Sequence, residues 1–221
     1  MKRTSPIILV IAAALLLVIA HTAEAGKLRR LTYSGYSGAW ITNLFVTTSS
    51  NAPSVNFPDL PDGYDYMPPG SPDAETPPFL AISATNTAAP DYYGSLIEGY
   101  LTAPETGDYI FWLASDDESQ FWMTTDPADP LNRSKTNLIC RVTGASGNRV
   151  WTTYPTQQST NINLVKGKTY YVQILHKEGG GNDYIQLGWQ TPSGVVERPM
   201  PAWHFQPIKD DVREWLTVDV V

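Results

Sequence analysis

The chain holds a single cysteine, Cys140, so no disulfide can form within it. Histidine is nearly as scarce, with three in 221 residues at positions 21, 176 and 204, in no zinc-ligand spacing. Lys and Arg number 15 against 22 Asp and Glu. They do not cluster, which argues against nucleic acid or an anionic membrane as partner. No apolar run after residue 25 approaches the roughly 20 residues of a membrane span. No glycine-rich loop that could cradle phosphate occurs. Gly35-Tyr36-Ser37-Gly38-Ala39 and Gly144-Ala145-Ser146-Gly147-Asn148 both lack the closing glycine of a Gly-x-Ser-x-Gly nucleophile elbow. These absences remove the common catalytic signatures, and the expectation is a protein that is not an enzyme.

The N-terminus carries Lys2 and Arg3, then fourteen apolar residues from Ile7 to Ala20, then the small-x-small site Ala23-Glu24-Ala25. That order reads as a secretory signal peptide over residues 1–25, cleaved before Gly26, with no membrane span remaining. The location expected is secreted or extracytoplasmic: extracellular, cell surface or periplasm. Cleavage removes Lys2, Arg3 and Glu24 and leaves 13 basic and 21 acidic side chains, a net charge of −8. Cys140 lies in the apolar run Leu138-Ile139-Cys140-Arg141-Val142, which suits a buried cysteine acting as a small hydrophobe.

What is present is β-pattern. Tyr109 to Leu113 is dense in aromatic and branched residues, and Phe121-Trp122-Met123 follows a polar break. Tyr170 to Leu175 comes after Lys166-Gly167-Lys168. Ile185, Leu187 and Trp189 alternate with polar or small residues, the period of a half-buried strand. No 3.6-residue apolar stripe occurs outside the acidic tail Asp210 to Leu216. The fold class expected is all-β, an antiparallel sandwich over residues 26–206, with a tail over 207–221. Tyr33 to Val46 is the candidate first strand. Residues 51–80 hold eight prolines (53, 58, 61, 68, 69, 72, 77 and 78), so a long extended loop is expected there.

Two stretches carry the most information. One runs through Ala103-Pro104-Glu105-Thr106-Gly107-Asp108-Tyr109, Phe111-Trp112-Leu113 and Ser115-Asp116-Asp117. The other runs from Lys168 through Lys177-Glu178-Gly179-Gly180-Gly181-Asn182-Asp183 to Leu187-Gly188-Trp189. Their order and spacing over residues 31–205 resemble the protective-antigen fourteen-kilodalton (PA-fourteen) domain family of toxins, adhesins and glycosidases. The resemblance implies a jelly-roll-like sandwich with Asp116-Asp117 in a loop at one end. It also implies a calcium ion there, which in the sugar-binding members grips carbohydrate hydroxyls. The family attaches this domain to glycosidases as an insert or appendage, and no catalytic domain remains in this chain.

The residue chemistry is compatible with that. Calcium takes 6–8 oxygen ligands, and Asp116, Asp117 and Asp183 are the carboxylates expected to hold it. Neighbouring side chains of a straight strand point to opposite faces, so both aspartates reach one ion only through a sharp turn or a cis peptide. Gly180 and Gly181 allow the close bend, and Asn182 stands where relatives often carry a further glycine. Its amide oxygen is either a ligand or part of the turn. Asp116-Asp117 itself is either a calcium site or a solvated turn. Trp151, in the loop-like Asn148 to Thr152, is the candidate to stack on a sugar ring. The partner expected is a carbohydrate or glycoconjugate; the alternative is a structural or protein-interaction domain meeting protein partners at the cell surface.

Overall fold

A computed structural model describes residues 28–33, 63–67, 81–84 and 92–208. Their strands are β1 (Leu28–Tyr33), β2 (Gly63–Met67), β3 (Ala81–Ala84), β4 (Tyr93–Thr102), β5 (Gly107–Asp116) and β6 (Ser119–Thr124). They continue with β7 (Thr136–Val142), β8 (Ile162–Leu164), β9 (Thr169–Glu178), β10 (Asp183–Gln190), β11 (Val196–Glu197) and β12 (Phe205–Pro207). The larger sheet has the order β2-β1-β4-β9-β6-β7, with β12 also on β4; the smaller runs β11-β10-β5-β8, with β3 on β10. All the pairings are antiparallel. Helix among the described residues is limited to three-residue 3-10 turns. None is long and apolar enough to cross a membrane.

The core fills the space between the sheets with alternate residues of each long strand. Ile97 and Leu101 of β4 meet Tyr109, Phe111 and Leu113 of β5, Phe121 and Met123 of β6, Val172 and Ile174 of β9, and Ile185, Leu187 and Trp189 of β10. Cys140 is buried among them as expected, and burial raises its thiol pKa well above the ordinary range. The Glu105 to Tyr109 motif is structural. The Tyr109 hydroxyl donates to the Glu105 carbonyl and accepts from its amide, both at 2.9 Å. The Glu105 carboxylate accepts from Ser193. Gly107 has φ +143°, and a Cβ there would lie 2.9 Å from Pro192.

Two expectations change. The first strand begins at Leu28 and ends at Tyr33, where the candidate was to start; residues 34–46 lie outside the described ones. The proline-rich segment contains β2, paired to β1 at the sheet edge. It occupies the proline-free interval between Pro61 and Pro68, where every backbone N–H can donate to a ladder. The expected signal peptide and the tail from residue 209 onward lie outside the described residues.

Candidate metal centre

At one end of the sandwich the inward rows of five strands turn from apolar to polar. One step beyond Ile97, Leu113, Phe121, Ile174 and Ile185 stand Ser95, Ser115, Ser119, His176 and Asp183, followed by Tyr93 and Glu178, all buried. Antiparallel register sets His176 opposite Ser95 on one side and Ser119 on the other, and Glu178 opposite Tyr93. The loops carrying the acidic motif close over this layer.

The Asp116–Asp117 peptide bond is cis. One carboxylate oxygen each from Asp116, Asp117 and Glu178 lies within 4.8 Å of the others. Asp117 accepts from the Gly179 amide at 2.9 Å, and its carbonyl accepts from the Ser115 hydroxyl at 2.6 Å. Ser115 and Ser119 share a hydroxyl contact of 2.6 Å. These bonds tie the β5–β6 turn to the β9–β10 loop.

Like charge is concentrated in the cluster, with Lys177 the cation nearest to it. Glu178 is 1% exposed and neither of its carboxylate oxygens has a hydrogen-bond partner; the Gly180 amide faces it outside hydrogen-bond geometry. Burial first, then the Asp183 and Asp117 charges, push its pKa up to about 8. Burial and then the neighbouring Asp117 raise Asp116 to about 6. Lys177 is fully buried, but its ammonium donates to the Glu178 carbonyl, and burial draws its pKa down to about 8. Burial also lowers His176, leaving a neutral ring that donates through Nε2 to the Asp116 carbonyl at 2.7 Å.

The Glu178 shift has a readable sign. A folded-state pKa of about 8, raised from 4.5, means the folded chain holds a proton that the unfolded chain has released. Stability therefore falls as pH rises through that window. Above pH ~6.5 an unperturbed histidine is neutral. The lowered Lys177 acts with the opposite sign and begins to titrate only toward its value of about 8, so between ~6.5 and ~7.5 the Glu178 proton governs the slope. Metal-free protein in chelator should melt at a lower temperature at pH ~7.5 than at pH ~6.5, and Glu178→Gln should flatten the difference. Parallel pH slopes in wild type and variant would show that the Glu178 proton is not the cause.

The structure brings Asp116 and Asp117 together as expected, but the third carboxylate of their group is Glu178. Asp183 falls in a second group with His176 and Glu178. Its side chain follows the inward phase of Ile185, and the Tyr93 hydroxyl donates to it. Gly180, Gly181 and Asn182 form the exposed tip between β9 and β10, with Gly181 at φ +113°. Trp151 does not offer the stacking face expected of it: it is 9% exposed and packs with Trp112 and Ala114. The polar residues beside it in sequence gave no sign of that packing. Glu178 and His176 were legible in principle, because they continue at intervals of two the inward phase set by Val172 and Ile174.

A two-sheet antiparallel sandwich with a carboxylate cluster in its end loops defines the class of protein. The profile of the PA14 domain matches residues 38–200, and the chain belongs to that family. Over 106 residues, 45% of this chain, it is 31% identical to the mouse N-acetyl-beta-glucosaminyl-glycoprotein 4-beta-N-acetylgalactosaminyltransferase 1. Over 120 residues, 52% of the chain, it is 26% identical to human Fibrocystin-L. The matches span 10% and 3% of those two proteins. An anti-sigma factor domain-containing protein from Clostridium clariflavum superposes with a TM-score of 0.51 at 14% identity, covering 84% of this chain and 49% of the other.

Proposed function

We propose that this chain is a non-catalytic carbohydrate-binding module that holds its sugar through a calcium ion seated among Asp116, Asp117 and Glu178. The observation that carries the reading is the Glu178 carboxylate, buried without a partner within 4.8 Å of two further carboxylates. A buried carboxylate without a partner is costly, and a hard divalent cation with oxygen ligands is the partner this donor set fits. Asp116 and Asp117 are half-buried, so an ion there keeps one side toward solvent. Sugar hydroxyls can complete its coordination from that side. Gly180, Gly181 and Asn182 border the same opening, where the Asn182 amide supplies a polar contact to the ligand. The mouse relative is named for action on a glycoprotein sugar, the same class of ligand. A secreted or extracytoplasmic location goes with this reading.

A glycan array probed in calcium and again in chelator tests it. Binding that chelator removes, and that Asp117→Asn also removes, is the expected result. Silence across a broad array in calcium would sink the reading and turn attention to protein partners. Binding indifferent to both chelator and Asp117→Asn would keep the sugar and discard the ion.

A further inference from the structure

We propose that the buried end of the sandwich holds a second cation behind the calcium position, a first-row transition ion of the zinc class, ligated by His176, Glu178 and Asp183. The inference shares Glu178 with the calcium reading and otherwise rests on different residues. One ligand atom from each of His176, Glu178 and Asp183 lies within 4.8 Å of the other two, and all three residues are buried.

Each of these groups keeps an unpartnered atom while its remaining polar atom is engaged or free to bridge. His176 is fully buried; its Nε2 donates to the Asp116 carbonyl and its Nδ1 has no partner. A histidine that binds metal through one nitrogen commonly gives its other N–H to a backbone carbonyl, which fixes the tautomer. Asp183 is 4% exposed; one oxygen accepts from Tyr93 and the other, Oδ1, has no partner. Oδ1 stands 4.0 Å from His176 Nε2, the nitrogen that the Asp116 carbonyl engages. Glu178 has both oxygens free, so it can give one to each ion, as bridging carboxylates do in paired sites. Ser95, directly across the ladder from His176, adds a buried hydroxyl without a partner.

The donor set chooses the metal class. Calcium and magnesium take oxygen ligands. A neutral imidazole beside two carboxylates suits zinc and its first-row neighbours. The site lies beneath the loops, while the calcium position is open to solvent at Asp116 and Asp117. The two cations therefore differ in chemistry and in access.

The test is a titration of metal-free protein with Co2+, then Zn2+, in saturating calcium, followed by visible absorption and proton NMR. One Co2+ per chain should bind, shifting one histidine N–H signal paramagnetically. That signal should persist in His204→Gln and vanish in His176→Asn. Tyr93→Phe, which releases one oxygen of Asp183, should weaken the binding roughly 10-fold or more, while leaving the calcium response in place. Should His176→Asn fail to fold, the wild-type spectrum compared with His204→Gln still decides, because after residue 25 those are the two histidines. Absence of stoichiometric Co2+ and Zn2+ binding, a shifted signal that belongs to His204, or binding unchanged in folded His176→Asn would each overturn the proposal. Calcium stabilisation without cobalt binding removes this site alone. Cobalt binding without calcium stabilisation removes the calcium reading and leaves this one standing.

Discussion

Calcium added to metal-free protein at a hundredfold excess over its Kd should raise the melting temperature by about 5–10 °C. An ion that binds only the folded state adds ~2.7 kcal/mol at that excess, and a domain of this size shifts roughly 2–4 °C per kcal/mol. Asp116→Asn and Asp117→Asn should each abolish the rise, since each removes a charged ligand from a set of three. Asp129→Asn should not, because that carboxylate is exposed and paired with Lys135 in the turn before β7. Glu178→Gln separates two roles of one residue. It should weaken the calcium response and at pH 8 stabilise the metal-free protein, by removing a buried charge. A calcium shift that survives the loss of both aspartates would place the ion elsewhere.

Trp189→Ala should cost about 3–5 kcal/mol, the usual range for removing a buried Trp or Phe. The ring is fully buried in the middle of the smaller sheet's inner face. Its centroid lies 5.2 Å from Tyr109, 6.2 Å from Phe111 and 4.5 Å from His204. Its Nε1 donates to Glu197, which also accepts from His204, so truncation leaves a cavity and an unfilled acceptor together. Denaturant midpoints of wild type and variant measure the cost. A loss under about 1 kcal/mol would mean that the two sheets close over the gap, contrary to the close packing expected of a core.

The strands that build this core were readable because one sheet face imposes a period of two. Phe111-Leu113, Val172-Ile174 and Ile185-Leu187-Trp189 declare both the strand and its inward phase. Asp116-Asp117 stood out because adjacent carboxylates on a straight strand cannot share a ligand. Glu178 escaped notice for an opposite reason. Next to Lys177 and three glycines it looks like the charged end of a strand running into a loop. Only the phase carried from Ile174 turns it inward, and only the second sheet makes that position a buried one. Trp151 failed in the other direction: its sequence neighbours are polar, yet Trp112 on a distant strand covers it. β2 hid inside a proline-rich segment because five residues between Pro61 and Pro68 are enough for an edge strand.

The most direct test of the calcium site is a crystal structure of protein grown in calcium, with anomalous difference density collected to locate the ion. The expected result is a peak bounded by oxygens of Asp116, Asp117 and Glu178 at about 2.3–2.6 Å. A peak elsewhere, or clear density for those three side chains with no ion among them, would contradict it.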